Sequence, residues 1–300
     1  MSHSVVLGAG DALGTGDSYL TLDVVPSELA DAAFERMREE VKWDVMHHRG
    51  GEVPRLVAVE GEVHQDGSST IYRHPADESP PLNPFSPSVE AIRQHVQKIL
   101  EHPVNHVLIQ FYRTGTDYIS EHSDKTIDVV RGSNIVNVSL GAQRTMTLRL
   151  KKDRAQAPRP DGYISPDARP PPRLAQRIPL PHNSMFVMGP ETNAKWLHGI
   201  NQDKRSITMK SAAETSQAGE RISLTFRHIG TFLSVDQKCI WGQGATGKTK
   251  EQAAAVVHGE TESQELIYAF GAENHMSDFD WHAHYGRGFD VVNFKTKEDD

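Results

Sequence analysis

Two short patterns in this 300-residue chain set side chains that could do chemistry within reach of one another, the first for a metal and the second for an anion. In His122-Ser123-Asp124 the imidazole and the carboxylate are two residues apart, so an extended strand turns both to one side. His198 follows 76 residues later, in Lys195-Trp196-Leu197-His198, on another predicted strand, and could complete a set of three. Two imidazoles and one carboxylate on one face of a metal suit iron(II) and leave three coordination positions open. The spacing is not specific by itself. His64-Gln65-Asp66 repeats it ahead of Gly67 and reads as a hairpin turn, and a solvated strand end accounts for His122 and Asp124 more simply.

The second pattern is the strict alternation of 221–227. Ile222, Leu224 and Phe226 face one way, while Arg221, Ser223, Thr225 and Arg227 face the other. If the polar face is enclosed, two guanidinium groups lose their water and require anions. A small dicarboxylate would supply them, each end gripped by a forked pair of hydrogen bonds. If that face is open, this is an edge strand with an ordinary polar surface.

These side chains need a frame. With 37% apolar and 24% charged residues the chain can bury a core. No apolar run reaches the roughly 18–20 residues of a membrane span, so no membrane partner is expected. The N-terminus lacks a basic stretch followed by an apolar one, so no secretory signal is expected. The single cysteine, Cys239, excludes an internal disulfide and fits a reducing compartment: cytoplasmic, with the nucleus as the alternative. A net charge of −8 argues against a protein whose main business is gripping phosphate backbones.

Helices are predicted from Ser27, capped by that residue, with Leu29, Ala33, Phe34, Met37 and Val41 on one face, and from Ser86-Pro87, with Val89, Ile92, Val96, Ile99 and Leu100. Short strands are predicted at 56–63, 69–72, 107–112, 135–140, 146–150, 184–188, 196–200 and 221–229, the pattern of an antiparallel sandwich or barrel. The stretch 155–182 carries eight prolines and is expected to form neither helix nor interior strand. It reads as a surface insertion, with Arg154, Arg159, Arg169, Arg173 and Arg177 in or beside it. In the tail, helices are expected at 250–257 and 262–270, the second ended by Gly271.

Taken in order, several motifs resemble the AlkB-like branch of the 2-oxoglutarate/Fe(II) dioxygenases. They are Leu108-Ile109-Gln110-Phe111-Tyr112, His122-Ser123-Asp124, Asn137-Val138-Ser139-Leu140-Gly141-Ala142, Arg149, Ser184-Met185-Phe186-Val187-Met188, Trp196-Leu197-His198 and the 221–227 strand. Val53-Pro54-Arg55 and Ser86-Pro87 extend the likeness upstream, over about 50–230. The resemblance implies a mainly β protein with flanking helices (α+β) around a double-stranded β-helix, or jelly-roll, core. It places N-terminal helices and a substrate lid in 1–104, the catalytic core in 105–232 with a Pro-rich insertion at 153–182, and a C-terminal extension in 233–300. It further implies that His122, Asp124 and His198 hold Fe(II), and that Arg221 anchors the distal carboxylate of 2-oxoglutarate. Tyr112, Gln110 and Ser223 would assist, with Arg227 near the chelating end. Gln110 and Ser223 stand where the family often has Asn. The 199–220 connection is longer than usual, so Lys204, Arg205 and Lys210 compete with Arg221, which is preferred because it lies in the matching strand.

The implied reaction couples oxidative decarboxylation of 2-oxoglutarate, with O2, to oxidation of a C–H bond. A small molecule, such as an amino acid or natural-product intermediate, is the substrate expected from the acidic charge and from a tail resembling fungal members of the family. The alternative is removal of N-alkyl groups from nucleobases in DNA or RNA. The 50–86 region would then be the lid, Tyr72 the stacking residue, and the basic 151–177 loop a nucleic-acid contact. Arg55, Tyr72 and Trp196 are the candidate substrate contacts.

Three other patterns are expected to be structural. Gly242-Gln243-Gly244-Ala245-Thr246-Gly247-Lys248-Thr249 spells a phosphate-binding loop, but lacks the parallel-sheet context that motif requires. His275, Asp278, Asp280, His282 and His284 are expected to sit on a polar cover packed through Phe279, Trp281, Tyr285 and Phe289. His47-His48 reads as a surface pair at a helix exit.

Overall fold

Alternating strands sort their apolar and polar faces into two facing sheets. The computed structural model describes residues 4–48, 51–75, 80–152 and 173–292. The larger sheet has seven strands in the order Tyr19–Leu22, Ser184–Met188, Ile135–Gly141, Arg221–Arg227, His106–Tyr112, Leu56–Gly61 and Leu82–Pro84, antiparallel except for the last pair. The smaller has five, in the order Ser4–Val6, Ala175–Leu180, Arg144–Leu150, Trp196–Ile200 and Ile119–His122, antiparallel except for the first pair. This is the expected jelly-roll.

The outer face of the larger sheet is apolar because helices cover it. Ile222, Leu224, Phe226, Val136, Val138 and Leu140 pack against Ala33, Phe34 and Met37 of the Ser27–Glu40 helix and Val89, Ile92 and Val96 of the Pro87–Leu100 helix. A second cluster fills the closed end between the sheets, joining Ile135, Phe186 and Met188 to Met146, Leu148, Ile178 and Trp196. The rest of the inner face is left to the polar side of the Arg221–Arg227 strand.

The tail is tied to both halves. A four-stranded sheet joins Ala254–Ala255, Cys239–Gly242, Thr231–Leu233 and Ser69–Thr70. Arg73 and Asp128 form a fully buried ion pair at 2.7 Å, and Arg73 also donates to the carbonyls of Gly244, Phe289 and Val291. With every donor of the fork used, the desolvation cost of that pair is offset. Three strands before residue 105, Tyr19–Leu22, Leu56–Gly61 and Leu82–Pro84, belong to the large sheet, so the 104/105 division runs through one sheet.

Several expectations are corrected. Ser27 is the first helical residue, with Pro26 at the N-cap position and no side-chain cap. Ser86 caps no amide with its side chain: its N–H and hydroxyl donate to the Glu60 carboxylate at 2.8 and 3.1 Å. Ala175–Leu180, inside the presumed insertion, is a strand with neighbours on both sides. It tolerates Pro179 because Ser4–Val6 pairs only as far as Arg177, leaving Pro179 at an edge. Residues 153–172, with Arg154, Arg159 and Arg169, lie outside the described residues. The expected 250–257 helix is a short 3-10 turn, Lys250–Gln252, followed by Ala254–Ala255 paired to Cys239 and Ile240. The next helix, Glu260–His275, runs through Gly271 because its last turn is held to the core by side chains described below.

Candidate active site

His122 ends one strand and stands directly opposite His198 on the next, with ring centroids 4.3 Å apart. The strands approach closely because position 199 is glycine: a Cβ there would lie 2.9 Å from the Ile119 carbonyl oxygen and 3.0 Å from the Glu121 nitrogen. The ladder also shifts register between His198 and Ile200. Asp124 Oδ1 is 3.7 Å from Nε2 of each histidine. Nδ1 of His122 lies 2.8 Å from the Ser120 carbonyl oxygen, which fixes Nε2 as the nitrogen facing inward. Asp124 turns its other oxygen to Arg227, accepting from Nη2 at 2.7 Å and Nε at 3.0 Å.

Electrostatics prepares this trio for a cation. Burial, and then His198, push His122 down to about 3; burial likewise lowers His198. Both rings are therefore neutral and offer a lone pair. Burial alone would raise Asp124, but Arg227, His198 and His122 outweigh it and hold the carboxyl well below the usual range. Two neutral nitrogens and one carboxylate oxygen, all within 4.8 Å of one another, fit an iron(II) ion. Among the described residues no other such group forms; the tail histidines and aspartates do not gather into one.

Across the cavity Arg221 is 1% exposed. Its Nε donates to Ser139 Oγ at 2.7 Å and Nη2 to Asn137 Oδ1 at 3.1 Å, while Nη1 has no partner. The Tyr112 ring lies 5.1 Å from its guanidinium carbon, and the Tyr112 hydroxyl donates to Gln110 at 2.7 Å. Asn137 donates to Ser223 Oγ at 2.7 Å. Burial pushes the Arg221 pKa down to about 10, and among the described residues no carboxylate is in ion-pair range of it. Arg55 is in a similar position: buried, bonded through Nη1 to the Tyr118 carbonyl at 2.8 Å, its Nε unpartnered. Two buried cations face one cavity with donor nitrogens unpartnered and no carboxylate in ion-pair range among the described residues. Arg221, with no carboxylate acting on it, calls for an anionic ligand, and Arg55 for a hydrogen-bond acceptor.

The competing anchors are elsewhere. Arg205 pairs with Asp203 and Glu214, Lys210 with Asp203, and Lys204 is exposed. Tyr72 does line the cavity: the Arg227 guanidinium sits 4.0 Å from its ring centre, and its hydroxyl accepts the Lys125 N–H at 3.0 Å. Trp196 does not. It shares the inward face of its strand with His198 but is 3% exposed within the apolar cluster at the closed end, which corrects its expected substrate contact. Sequence reasoning passed over Asn137 and Ser139, though both lay in a quoted motif. It also passed over the tail: Ile267, Phe270, Gly271, Asn274 and His275 form one wall of the cavity of about 650 Å³. Their helical spacing was a usable signal, masked by reading Gly271 as a stop. The phosphate-loop look-alike is a turn in which Lys248 donates to its own loop carbonyls, Gln243 and Ala245.

A jelly-roll presenting two histidines and an aspartate opposite a buried, anion-seeking arginine defines a non-heme iron site with a carboxylate co-substrate. The 2OG-Fe(II) oxygenase superfamily pattern matches residues 17–227, and the chain belongs to that superfamily. It is 30% identical over 207 residues to the human (Homo sapiens) DNA oxidative demethylase ALKBH2, covering 67% of this chain and 69% of that protein. It is 26% identical over 208 residues to the bovine (Bos taurus) alpha-ketoglutarate-dependent dioxygenase alkB homolog 3, covering 67% and 62%. A solved structure, of OsALKBH1, superposes at a TM-score of 0.42 and 18% identity, over 71% of this chain and 98% of that one. The protein is thus an AlkB-like, 2-oxoglutarate-dependent non-heme iron oxygenase, using Fe(II), 2-oxoglutarate and O2. Among the described residues no helix is long and apolar enough to cross a membrane. The family match stops at 227, so the tail helix that walls the cavity lies outside it.

Proposed function

We propose that this enzyme oxidatively removes N-alkyl groups from nucleobases in nucleic acid. One observation carries the reading: its 30% identity, over 207 residues, to a protein named as a DNA oxidative demethylase. That likeness supports the nucleobase alternative over the small-molecule substrate favoured by composition. The net charge of −8 is an average, and it does not describe the surroundings of the cavity. Beside the mouth lies an open hollow whose lining includes Lys152, Arg173, Tyr268 and His275, with Tyr268 73% exposed, and also Glu121, whose carboxylate is paired with Arg149 at 2.8 Å. Basic and aromatic groups together suit a nucleic-acid strand, phosphates on the cations and bases on the rings.

In this reading His122, Asp124 and His198 hold the metal, with no other ligand among the described residues. Arg221 takes the distal carboxylate of 2-oxoglutarate through its unpartnered Nη1, and Tyr112, Gln110, Asn137 and Ser223 keep it aligned. Arg227 fixes Asp124, so that one carboxylate oxygen is committed to the guanidinium and the other is free for the metal. When bound, iron couples decarboxylation of 2-oxoglutarate to succinate with oxidation of an N-alkyl C–H bond by O2. The protein's share is to bind, orient and exclude water. Tyr72 and His74 wall the base, and Arg55 hydrogen-bonds its polar edge.

The test is succinate release with an N-methylated oligonucleotide, its unmodified twin, and a panel of amino acids, alongside binding over a salt series. Stimulation by the methylated strand alone, with affinity falling as salt rises, is expected. Stimulation by a panel amino acid and no salt-dependent binding would overturn the nucleobase reading.

A further inference from the structure

Directly after His122 the chain leaves the sheet, and the segment 123–126 that carries Asp124 pairs with no strand. Its four consecutive backbone N–H groups are nevertheless all satisfied, each by a side chain from elsewhere. Ser123 donates to Asn274 Oδ1 at 2.9 Å, Asp124 to Asn193 Oδ1 at 2.9 Å, Lys125 to the Tyr72 hydroxyl at 3.0 Å and Thr126 to Glu273 Oε1 at 3.0 Å. Two of the four acceptors are neighbours in the last turn of the Glu260–His275 helix, beyond the family-matched region.

That turn is itself held firmly. Glu273 is 4% exposed and also accepts from the Thr126 hydroxyl and, at 2.7 Å, from the Tyr285 hydroxyl. Its backbone carbonyl accepts from Lys151 Nζ at 2.6 Å. Asn274 Oδ1 additionally accepts from Lys125 Nζ at 3.3 Å. These bonds carry the helix past Gly271 and place Asn274 and His275 in the cavity wall.

We propose that Asn274 and Glu273 are positioning residues for the metal carboxylate, so that the C-terminal helix is a working part of the active site. The proposal rests on the reading of His122, Asp124 and His198 as the metal ligands. The physical reason is that Asp124 has no ladder of its own. Its Oδ2 is fixed by Arg227, but the direction of Oδ1 depends on where the backbone of 123–126 stands. An acceptor removed from a buried amide leaves it unsatisfied, and the loop must move to find water. Loss of such an outer partner typically weakens metal affinity ten- to hundredfold.

The experiment measures Co(II) affinity by visible absorption, with thermal unfolding in parallel, for the full chain and for Asn274→Ala, Asn274→Asp and His122→Ala. Asn274→Ala is expected to bind Co(II) ten- to hundredfold more weakly. Asn274→Asp, which keeps an oxygen facing Ser123 N–H and Lys125, is expected to stay within about threefold of the parent. Asn274→Ala binding Co(II) as the parent does, or both variants falling equally, would overturn the proposal. Should Asn274→Ala fail to fold, amide exchange in the metal-free parent decides: Ser123 and Thr126 N–H are expected to be protected, and exchange at the free-loop rate overturns the clasp. Unchanged Co(II) binding in His122→Ala would instead overturn the metal-site reading on which it stands.

Discussion

Replacing Arg221 with methionine separates binding from folding, and the two effects have different magnitudes. In the free protein this guanidinium is buried without a counter-ion, and its pKa falls from an ordinary 12.5 to about 10. At 1.36 kcal/mol per tenfold, the unliganded chain bears a penalty of about 3 kcal/mol. Methionine removes that penalty but strands two acceptors, Ser139 Oγ and Asn137 Oδ1, at about 1 kcal/mol or more each. The opposing contributions nearly cancel, so the free variant should unfold within about 1 kcal/mol of the parent. The co-substrate side does not cancel. A charge-assisted contact to a carboxylate is lost outright, at about 2–4 kcal/mol, so the KM for 2-oxoglutarate should rise roughly thirtyfold to thousandfold. The assays are chemical unfolding with and without saturating 2-oxoglutarate, and succinate release against 2-oxoglutarate concentration. Added 2-oxoglutarate should stabilise the parent by about 2–3 kcal/mol at a hundredfold excess over Kd, and the variant at the same concentration by less than about 1 kcal/mol. A KM within threefold of the parent would refute the assignment, whatever the stability.

Three further outcomes are expected. Asp124→Asn should lose metal binding and also cost about 3–5 kcal/mol of stability, since it leaves Arg227, with both side chains 3% exposed, without its charge partner; urea unfolding reads the second effect, and an unchanged midpoint would contradict it. Burial lowers the Lys151 pKa to about 8, so its cost is fully present below pH 8 and is relieved toward pH 10.4, where the unfolded chain alone holds the proton. The parent should therefore gain about 2 kcal/mol on Lys151→Met between pH 7.5 and 10, and parallel stability curves would contradict this. Gly271 lies mid-helix with nothing within 4 Å of a Cβ, so Gly271→Ala should stabilise by about 0.8–1 kcal/mol and raise Tm by about 2 °C; a lowered Tm would show that the cavity wall needs the glycine.

The core was legible wherever local pattern and tertiary environment agree. The alternation of 221–227 separated an apolar from a polar face, and the structure lays the first under the helices and the second in the cavity. Alternation alone left open whether the polar face was enclosed, because that depends on the opposite sheet. The His-x-Asp pair with a distant histidine was legible because cross-strand neighbours need only the right residue types and a sheet to join them. What failed depended on partners far along the chain. Proline suggested a loop at 175–180, but the edge created by a three-residue N-terminal strand is invisible to local reading. Gly271 suggested a helix end, yet Glu273 and Asn274 gain their bonds only once residues 123–126 arrive beside them. Trp196 was a candidate substrate contact from its motif with His198, but its burial within the apolar cluster depends on residues of the opposite sheet that packs against it.

The most direct test is anomalous diffraction from crystals grown with Mn(II) and 2-oxoglutarate under anaerobic conditions. A single peak is expected about 2.0–2.3 Å from Nε2 of His122, Oδ1 of Asp124 and Nε2 of His198, with a carboxylate of 2-oxoglutarate on Nη1 of Arg221. A metal bound elsewhere, or a co-substrate seated with Arg221 bare, would contradict it.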